Sequence, residues 1–477
     1  MREVSSSVFL RERKPFLQAL VQALNERYRY ASVLATDAKT YMYRMSKGGV
    51  VIMEDKRFSE RGFVARVYDG EGYAEYSFNE IDEAMIPSIL RKIDDELIPF
   101  KDAKPEMTAV LKRKLMEDTA ASFVKSTTYE IHPDEMGSEA IVERLSAIRE
   151  KALNSAEGLV DAITMVSYQE IHKLFLSKNR DLEQNILWTA GGVFAMAPKQ
   201  GNLTRSGRSG SVLGGMEFLD KLDEKAATIA KTAVELISAE HMIPGEYECV
   251  CSPSVTGMIV HEAFGHGVEM DMFVKDRALA KEYVGKPVAS ELVTMRDTAS
   301  DLNDAGTYFF DDEGTLATNT VIIENGILKT GISDALSADT LGTAPTGNGR
   351  RESFQRKAYT RMTNTVFDPG TSTVEEMIAS VKYGMLLDEP TSGMEDPKNW
   401  GIQCMVNVAR EIRDGKLTGR IFSPIVLTGY VPDLLKSITM MGNTFETSGS
   451  GFCGKGYKEY VKVSDGGPWM KATIRLG

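Results

Sequence analysis

Residues 254–266 read Ser-Val-Thr-Gly-Met-Ile-Val-His-Glu-Ala-Phe-Gly-His, and they place two of the chain's five histidines around one glutamate. Pro253, just ahead of this run, suits the first position of a helix, where its missing N–H would be unpaired anyway. Ser252 before it offers a side-chain acceptor for the open amides. Val255, Met258, Ile259 and Phe264 fall near one apolar face, so the helix is expected to bury that face and carry His261 and Glu262 inward. Gly265 and Gly267 mark its end or a distortion.

The familiar zinc helix spaces its histidines four apart, which brings both rings to one face. Here His261 and His266 are five apart, about 140° of rotation on an ideal α-helix, which would aim the rings away from each other. Both reach one ion if the helix widens by a π-type turn, or if Gly265 lets the chain leave the helix before His266. In such a site neutral imidazoles ligate, and the neighbouring carboxylate, Glu262, takes a proton from metal-bound water. A third protein ligand is required. Glu269 and Asp271 are close in sequence, but Cys453, in Gly-Phe-Cys-Gly-Lys-Gly, is favoured because a thiolate binds zinc strongly and its flanking glycines allow close approach. A purely structural alternative also exists: His266 as a protonated ring at a helix C-terminus and His261 as a hydrogen-bonded core residue.

The run 261–271, His-Glu-Ala-Phe-Gly-His-Gly-Val-Glu-Met-Asp, resembles the signature of the TldD/PmbA family of zinc-dependent peptidases, on the metal-bearing TldD side. Further blocks follow in the family's order. They are Phe310–Gly314 with Ile322–Leu328, Gly347–Ser353 with Arg361–Thr365, and Cys453-Gly-Lys455. The resemblance implies that the HExxxH histidines His261 and His266 together with Cys453 hold zinc, and that Glu262 is the catalytic glutamate. It further implies proteolysis by a dimer, either a homodimer or a heterodimer with a related metal-free subunit, enclosing the site in a narrow passage. After Lys455 the chain departs from the family pattern, reading Gly-Tyr-Lys-Glu-Tyr and then Val-Ser-Asp-Gly-Gly-Pro.

At 477 residues the chain exceeds one ordinary core, and a boundary near residue 240 divides it into an N-terminal α/β domain (1–240) and a C-terminal metallopeptidase domain (241–477). Apolar residues make up 42% and charged residues 26%, the balance of a folded, soluble protein. No apolar leader and no run of about 18 apolar residues is visible, so a cytoplasmic, membrane-free protein is expected. Four cysteines in so long a chain are no disulfide framework, and Cys249 and Cys251 alternate in a strand as structural residues. The net charge of -12 argues against nucleic-acid binding, which draws on basic groups. One basic cluster, Arg350, Arg351, Arg356, Lys357 and Arg361, reads equally as a solvated loop or as a holder of substrate carboxylates or of a partner.

The pattern predicts an α+β fold. In the N-terminal half, a helix runs over Pro15–Arg27 and antiparallel strands over Ala31–Phe78 turn at Asp69–Gly72. Asn79 caps a helix to about Ile98, Pro105 opens another, and Pro133–Ser155 forms a third beyond a strand at Ser122–Ile131. Strand-like sequence from Leu159 ends in a Gly/Ser-rich loop, Gly201–Gly210, which lacks the lysine of a phosphate-binding loop. An amphipathic helix follows over Glu217–Ala239. The C-terminal half is β-rich, with strands at Gly306–Phe310, Thr318–Glu324 and Ile421–Thr428. Asp301–Gly306 imitates a calcium loop, but Ala305 stands where a ligand is due.

Three activities fit. A metallopeptidase with Glu262 as general base leads. A hydrolase with Cys453 as nucleophile, one histidine as its base and its thiolate favoured by Lys455, and a non-catalytic adaptor with a structural metal are the alternatives. Gly-rich segments Gly347–Gly349 and Gly449–Gly456 beside strand-like sequence suggest extended, unfolded peptide substrates bound through their backbone.

Overall fold

The computed structural model describes residues 1–101, 114, 116, 118–448, 451–456 and 459–477, and its class is α+β, as the pattern predicts. The helix expected from Pro105 and part of the glycine-rich segment at 449–456 lie outside the described residues.

The first large sheet is built from long β-meanders. Six of its eight described strands run in the order Asn202–Val212, Arg180–Lys199, Asp161–Ser177, Tyr30–Ser46, Glu60–Tyr68 and Tyr73–Phe78, each antiparallel to the next, while Gly49–Glu54 pairs antiparallel with Tyr30–Ser46 and Ala121–Ser126 pairs parallel with Arg180–Lys199. Helix Val8–Asn25 packs on one part of it, and helices Pro133–Asn154 and Phe218–Glu235 cover another. Asp161–Ser177 alternates buried and half-buried residues over most of its length, whereas Arg180–Lys199 is continuously buried over residues 184–193. The difference has a physical cause: helix Phe218–Glu235 packs on Arg180–Lys199, and Ile186, Trp188 and Ala190 also meet Ala299, Ala305 and Tyr308 of the C-terminal half.

Several local expectations change. Gly201–Gly210 is no loop: Gln200 and Gly201 adopt positive φ of 45° and 81°, turn a tight hairpin, and deliver Asn202–Val212 into the sheet. Asn79 caps nothing; Asp82 instead accepts the Met85 N–H at the start of a 3₁₀ turn that leads into Ile86–Lys101. Gly306–Phe310 is not a strand, because side chains take the amides a neighbouring strand would have taken. Gln184 accepts from Phe309 and Phe310, and Asn364 accepts from Gly306. The stretch Ile421–Thr428 is two strands, Lys416–Phe422 and Ile425–Tyr430, parted at Pro424, which has no N–H for a ladder.

In the C-terminal half, Gly245–Cys251 pairs with both Tyr383–Asp396 and Ser464–Leu476. Gly401–Arg413 and Ile425–Tyr430 complete the circuit back to Ser464–Leu476, so five strands close a ring. Helix Pro253–Ile259 leaves the end of Gly245–Cys251 and packs on Ser464–Leu476 and Tyr383–Asp396. Gly257 makes that approach feasible, since a Cβ there would stand 2.9 Å from the Gly466 nitrogen. The two halves are joined by charge as well as apolar packing: Arg66 bonds Glu75 at 2.7 Å and Glu313 at 2.6 Å, and Arg351 bonds Glu75 at 3.0 Å. Among the described residues no helix is long and apolar enough to cross a membrane.

Candidate metal centre

The chain enters the centre through helix Pro253–Ile259, which passes into a π-helical turn over Val260–Gly265 and a 3₁₀ turn over His266–Val268. Of the two routes open to the five-residue spacing, the π turn is the one taken, and its extra residue swings His266 back toward His261. The two rings stand 5.1 Å apart at an interplanar angle of 85°. Gly265 permits this, because a Cβ there would lie 2.3 Å from the Met362 sulfur. At the helix start the Ser252 side chain does not cap; its hydroxyl pairs with that of Ser254 at 3.0 Å.

Cys453 arrives from the short hairpin Phe452–Lys455 paired with Glu459–Lys462, 187 residues further along the chain. Its Sγ lies 3.5 Å from His266 Nε2, and ligating atoms of His261, His266 and Cys453 fall within 4.8 Å of one another. A tetrahedral zinc, with bonds of about 2.0 Å to nitrogen and 2.3 Å to sulfur, separates such donors by about 3.5 Å, so the donor set suits that ion. Burial pushes the Cys453 thiol up, but His266 and then His261 outweigh it and bring the thiol well below its ordinary range. Burial opposes protonation of His266, yet Cys453 and Glu269 hold its pKa well above the usual value. Metal binding at such a thiolate and imidazole set would release protons.

The other two ligand candidates face elsewhere. Glu269 Oε2 lies 3.3 Å from His266 Nδ1 and 3.0 Å from Lys455 Nζ. Burial raises the Glu269 carboxyl, and Lys455, His266 and Arg361 overcome this to hold it at about 2. Asp271 pairs with Lys455 at 2.6 Å and Lys275 at 3.0 Å. Lys455 is therefore committed to carboxylates rather than to the thiolate of Cys453.

Glu262 sits beside the ligands, makes no hydrogen bond or ion pair among the described residues, and lines a cavity of about 840 Å³. Gly393 brings strand Tyr383–Asp396 onto it: a Cβ at that glycine would stand 2.3 Å from Glu262 Cγ. That strand pairs with Gly401–Arg413 along its length, whereas its pairing with Gly245–Cys251 stops at Leu387. Pro390–Glu395 thus present one backbone edge without a ladder while lining the cavity.

Sequence reasoning missed the part that four features play at this centre, although it named Arg361 within the basic cluster. Asp465 accepts from Ser448 at 2.6 Å, and burial raises its carboxyl to about 6 despite His261 nearby. Glu395 lies against Gly267, and burial pushes its carboxyl well above the ordinary range. Arg361 is fully buried and donates to the carbonyls of Glu459 and Cys453. The open strand edge is the fourth, and Gly393 inside strand-like sequence was its available signal, since such a glycine marks close backbone approach.

The basic cluster divides between internal partners and solvent. Arg351 is spent on Glu75 and the Arg356 carbonyl, and Arg350 on the carbonyls of Met362 and Lys462, while Arg356 and Lys357 face solvent. The calcium-like loop is likewise closed. Asp304 accepts from Ser211 and Ala305, and Asp312 pairs with Lys173. Cys249, Cys251 and Cys404 are buried free thiols.

Residues 244–472 match the PmbA/TldA metallopeptidase C-terminal domain. A Methanothermobacter thermautotrophicus protein named as a metalloprotease is 28% identical over 464 residues, 96% of this chain and 97% of that one. A zinc metalloprotease TldD homolog of Saccharolobus solfataricus is 30% identical over 258 residues, 54% of this chain and 57% of the relative. In architecture the chain is similar to a Thermotoga maritima protein described as a candidate modulator of a DNA gyrase, with a TM-score of 0.79 and 17% identity over 98% of this chain and 100% of that one. It is also similar to TldE of Thermococcus kodakarensis, with a TM-score of 0.73 and 16% identity over 97% of this chain and 99% of that one. At these identities the two structures speak for the fold alone.

Proposed function

The chain belongs to the TldD/PmbA family, and from that premise we propose that it is a zinc-dependent peptidase of the metal-bearing TldD type, with residues 241–477 as its catalytic unit. The observation that carries this reading is the convergence of His261, His266 and Cys453 beside an unengaged Glu262 on the wall of a large cavity. His261, His266 and Cys453 are the ligands. A bound zinc would polarise the scissile carbonyl and lower the pKa of its water. Glu262 accepts the proton at its carboxylate and returns it to the leaving amine.

The substrate is an extended peptide. Pro390–Glu395 offer backbone groups to an added strand beside Glu262, a mode tolerant of sequence and intolerant of folded chains. The commitment of Lys455 to Glu269 and Asp271 removes the lysine from the cysteine-nucleophile alternative, which would then rest on the histidines beside Cys453 alone. The protein acts in the cytoplasm as a dimer, with itself or with a metal-free relative.

The test is hydrolysis of unfolded peptides by zinc-loaded wild type and by Glu262→Gln, with bound zinc measured in both. Equal zinc content and a loss of rate of at least about 100-fold are expected, the scale of a general base. A Glu262→Gln variant that cleaves as fast as wild type rules this mechanism out.

A further inference from the structure

We propose that Glu269 and Lys455 are a positioning pair that sets which nitrogen of His266 faces the metal and holds the two ligand-bearing segments in register. The proposal rests on the zinc-peptidase reading and extends it to residues outside the ligand set.

The hydrogen-bond chemistry leaves one consistent arrangement. Glu269 Oε2 approaches His266 Nδ1 at 3.3 Å, and a carboxylate accepts without donating. Nδ1 must then carry its proton, which leaves the lone pair of the neutral ring on Nε2, the atom 3.5 Å from Cys453 Sγ. Glu269 cannot rotate away freely, because Lys455 Nζ binds the same oxygen at 3.0 Å. Lys455 is itself immobilised, its other two donors going to Asp271 Oδ1 at 2.6 Å and the Thr360 carbonyl at 3.0 Å.

The pair also spans the centre. Glu269 follows His266 by three residues, and Lys455 follows Cys453 by two on the same short strand. Their bond thus staples the end of the 3₁₀ turn that carries His266 to the cysteine strand across the gap that the metal would bridge. Arg361 reinforces the staple from behind, donating to the Cys453 carbonyl while its Nε stands 3.9 Å from Glu269. Outer partners of this kind orient a ligating histidine before the ion arrives, so their loss reads out in metal affinity.

The experiment uses the full chain, stripped of metal, and measures zinc affinity by competition with a chromophoric chelator. Cobalt(II) absorption then reports the thiolate and the coordination geometry. Glu269→Gln keeps the shape but removes the charge, and Lys455→Met removes the strut. Each is expected to weaken zinc binding about 10–100-fold, and Lys455→Arg to recover most of it. The double variant should lose less than the sum of the singles, because both act on one contact. The melting temperature of the metal-free protein separates a positioning role from general stability, since a merely structural pair would lower it without changing the affinity of the folded fraction. Variants that bind zinc as tightly as wild type, with the same cobalt spectrum, overturn the proposal while leaving the peptidase reading intact. A wild-type chain that binds no zinc overturns both.

Discussion

Gly257→Ala is a sensitive test of how the site is seated. In an ordinary helix this change is stabilising by about 1 kcal/mol, because glycine is the poorer helix former. Here the added Cβ would lie 2.5 Å from Asp465 Oδ1, 2.9 Å from the Gly466 nitrogen and 3.0 Å from the Gly466 Cα. Asp465 is a side chain that a rotation can move, but Gly466 is backbone, paired on one side with Val366 and on the other with Thr447. Restoring ordinary contact therefore requires helix or strand to move by about 0.5 Å, and overpacking of that kind costs about 1–3 kcal/mol. The strand is held on both sides, so the upper part of that range applies, and a net loss of about 2 kcal/mol is expected after the helix gain. His261 lies one turn further along the same helical segment, so the shift propagates to the ligand and should reduce kcat/KM by at least about 10-fold. Urea denaturation of the metal-free protein, zinc competition and peptide hydrolysis measure the three effects. A Gly257→Ala protein that is more stable than wild type and equally active would refute the reasoning.

Glu75 links the halves and carries a pH signature. Burial raises its carboxyl, but Arg66 and Arg351 hold it at about 2, below its unfolded value. The sign follows: the stabilisation is fully present above about pH 4.5 and is lost as pH falls through about 2, amounting to roughly 3 kcal/mol at neutrality. Glu75→Gln should accordingly lower stability at pH 7 and flatten its acid dependence; an unchanged gap between variant and wild type from pH 7 to pH 2.5 would show that the pair contributes nothing through charge. Cysteine labelling gives an independent check. Cys453 lines the large cavity whereas Cys249, Cys251 and Cys404 are fully buried, so iodoacetamide should modify Cys453 alone in metal-free protein, with zinc protecting it, as read by peptide mass mapping. Labelling of the other thiols in native protein, or no protection by zinc, would contradict that arrangement.

By itself the sequence determined the class, most helices and long strands, and the chemistry of the centre's candidates, because these rest on local periodicity and residue type. Pro133–Asn154 and Phe218–Glu235 announce themselves by apolar spacing, and His261, Glu262, His266 and Cys453 by rare donor types among glycines. Local pattern misled where partners are distant. The segment at 306–310 looked like a strand until Gln184 and Asn364 supplied its acceptors, and the Gly201–Gly210 loop became a strand because Arg180–Lys199 lay ready to pair with it. Only the tertiary structure decided between the two routes for His266, since the π turn depends on Met362 filling the space a side chain at Gly265 would need. It also turned Glu269 from a candidate ligand into the partner of His266 and Lys455, and Arg361 from an undecided member of a basic cluster into a buried support of Cys453. Those roles arise from burial, which makes an unpaired charge costly and so selects partners that are near in space and far in sequence.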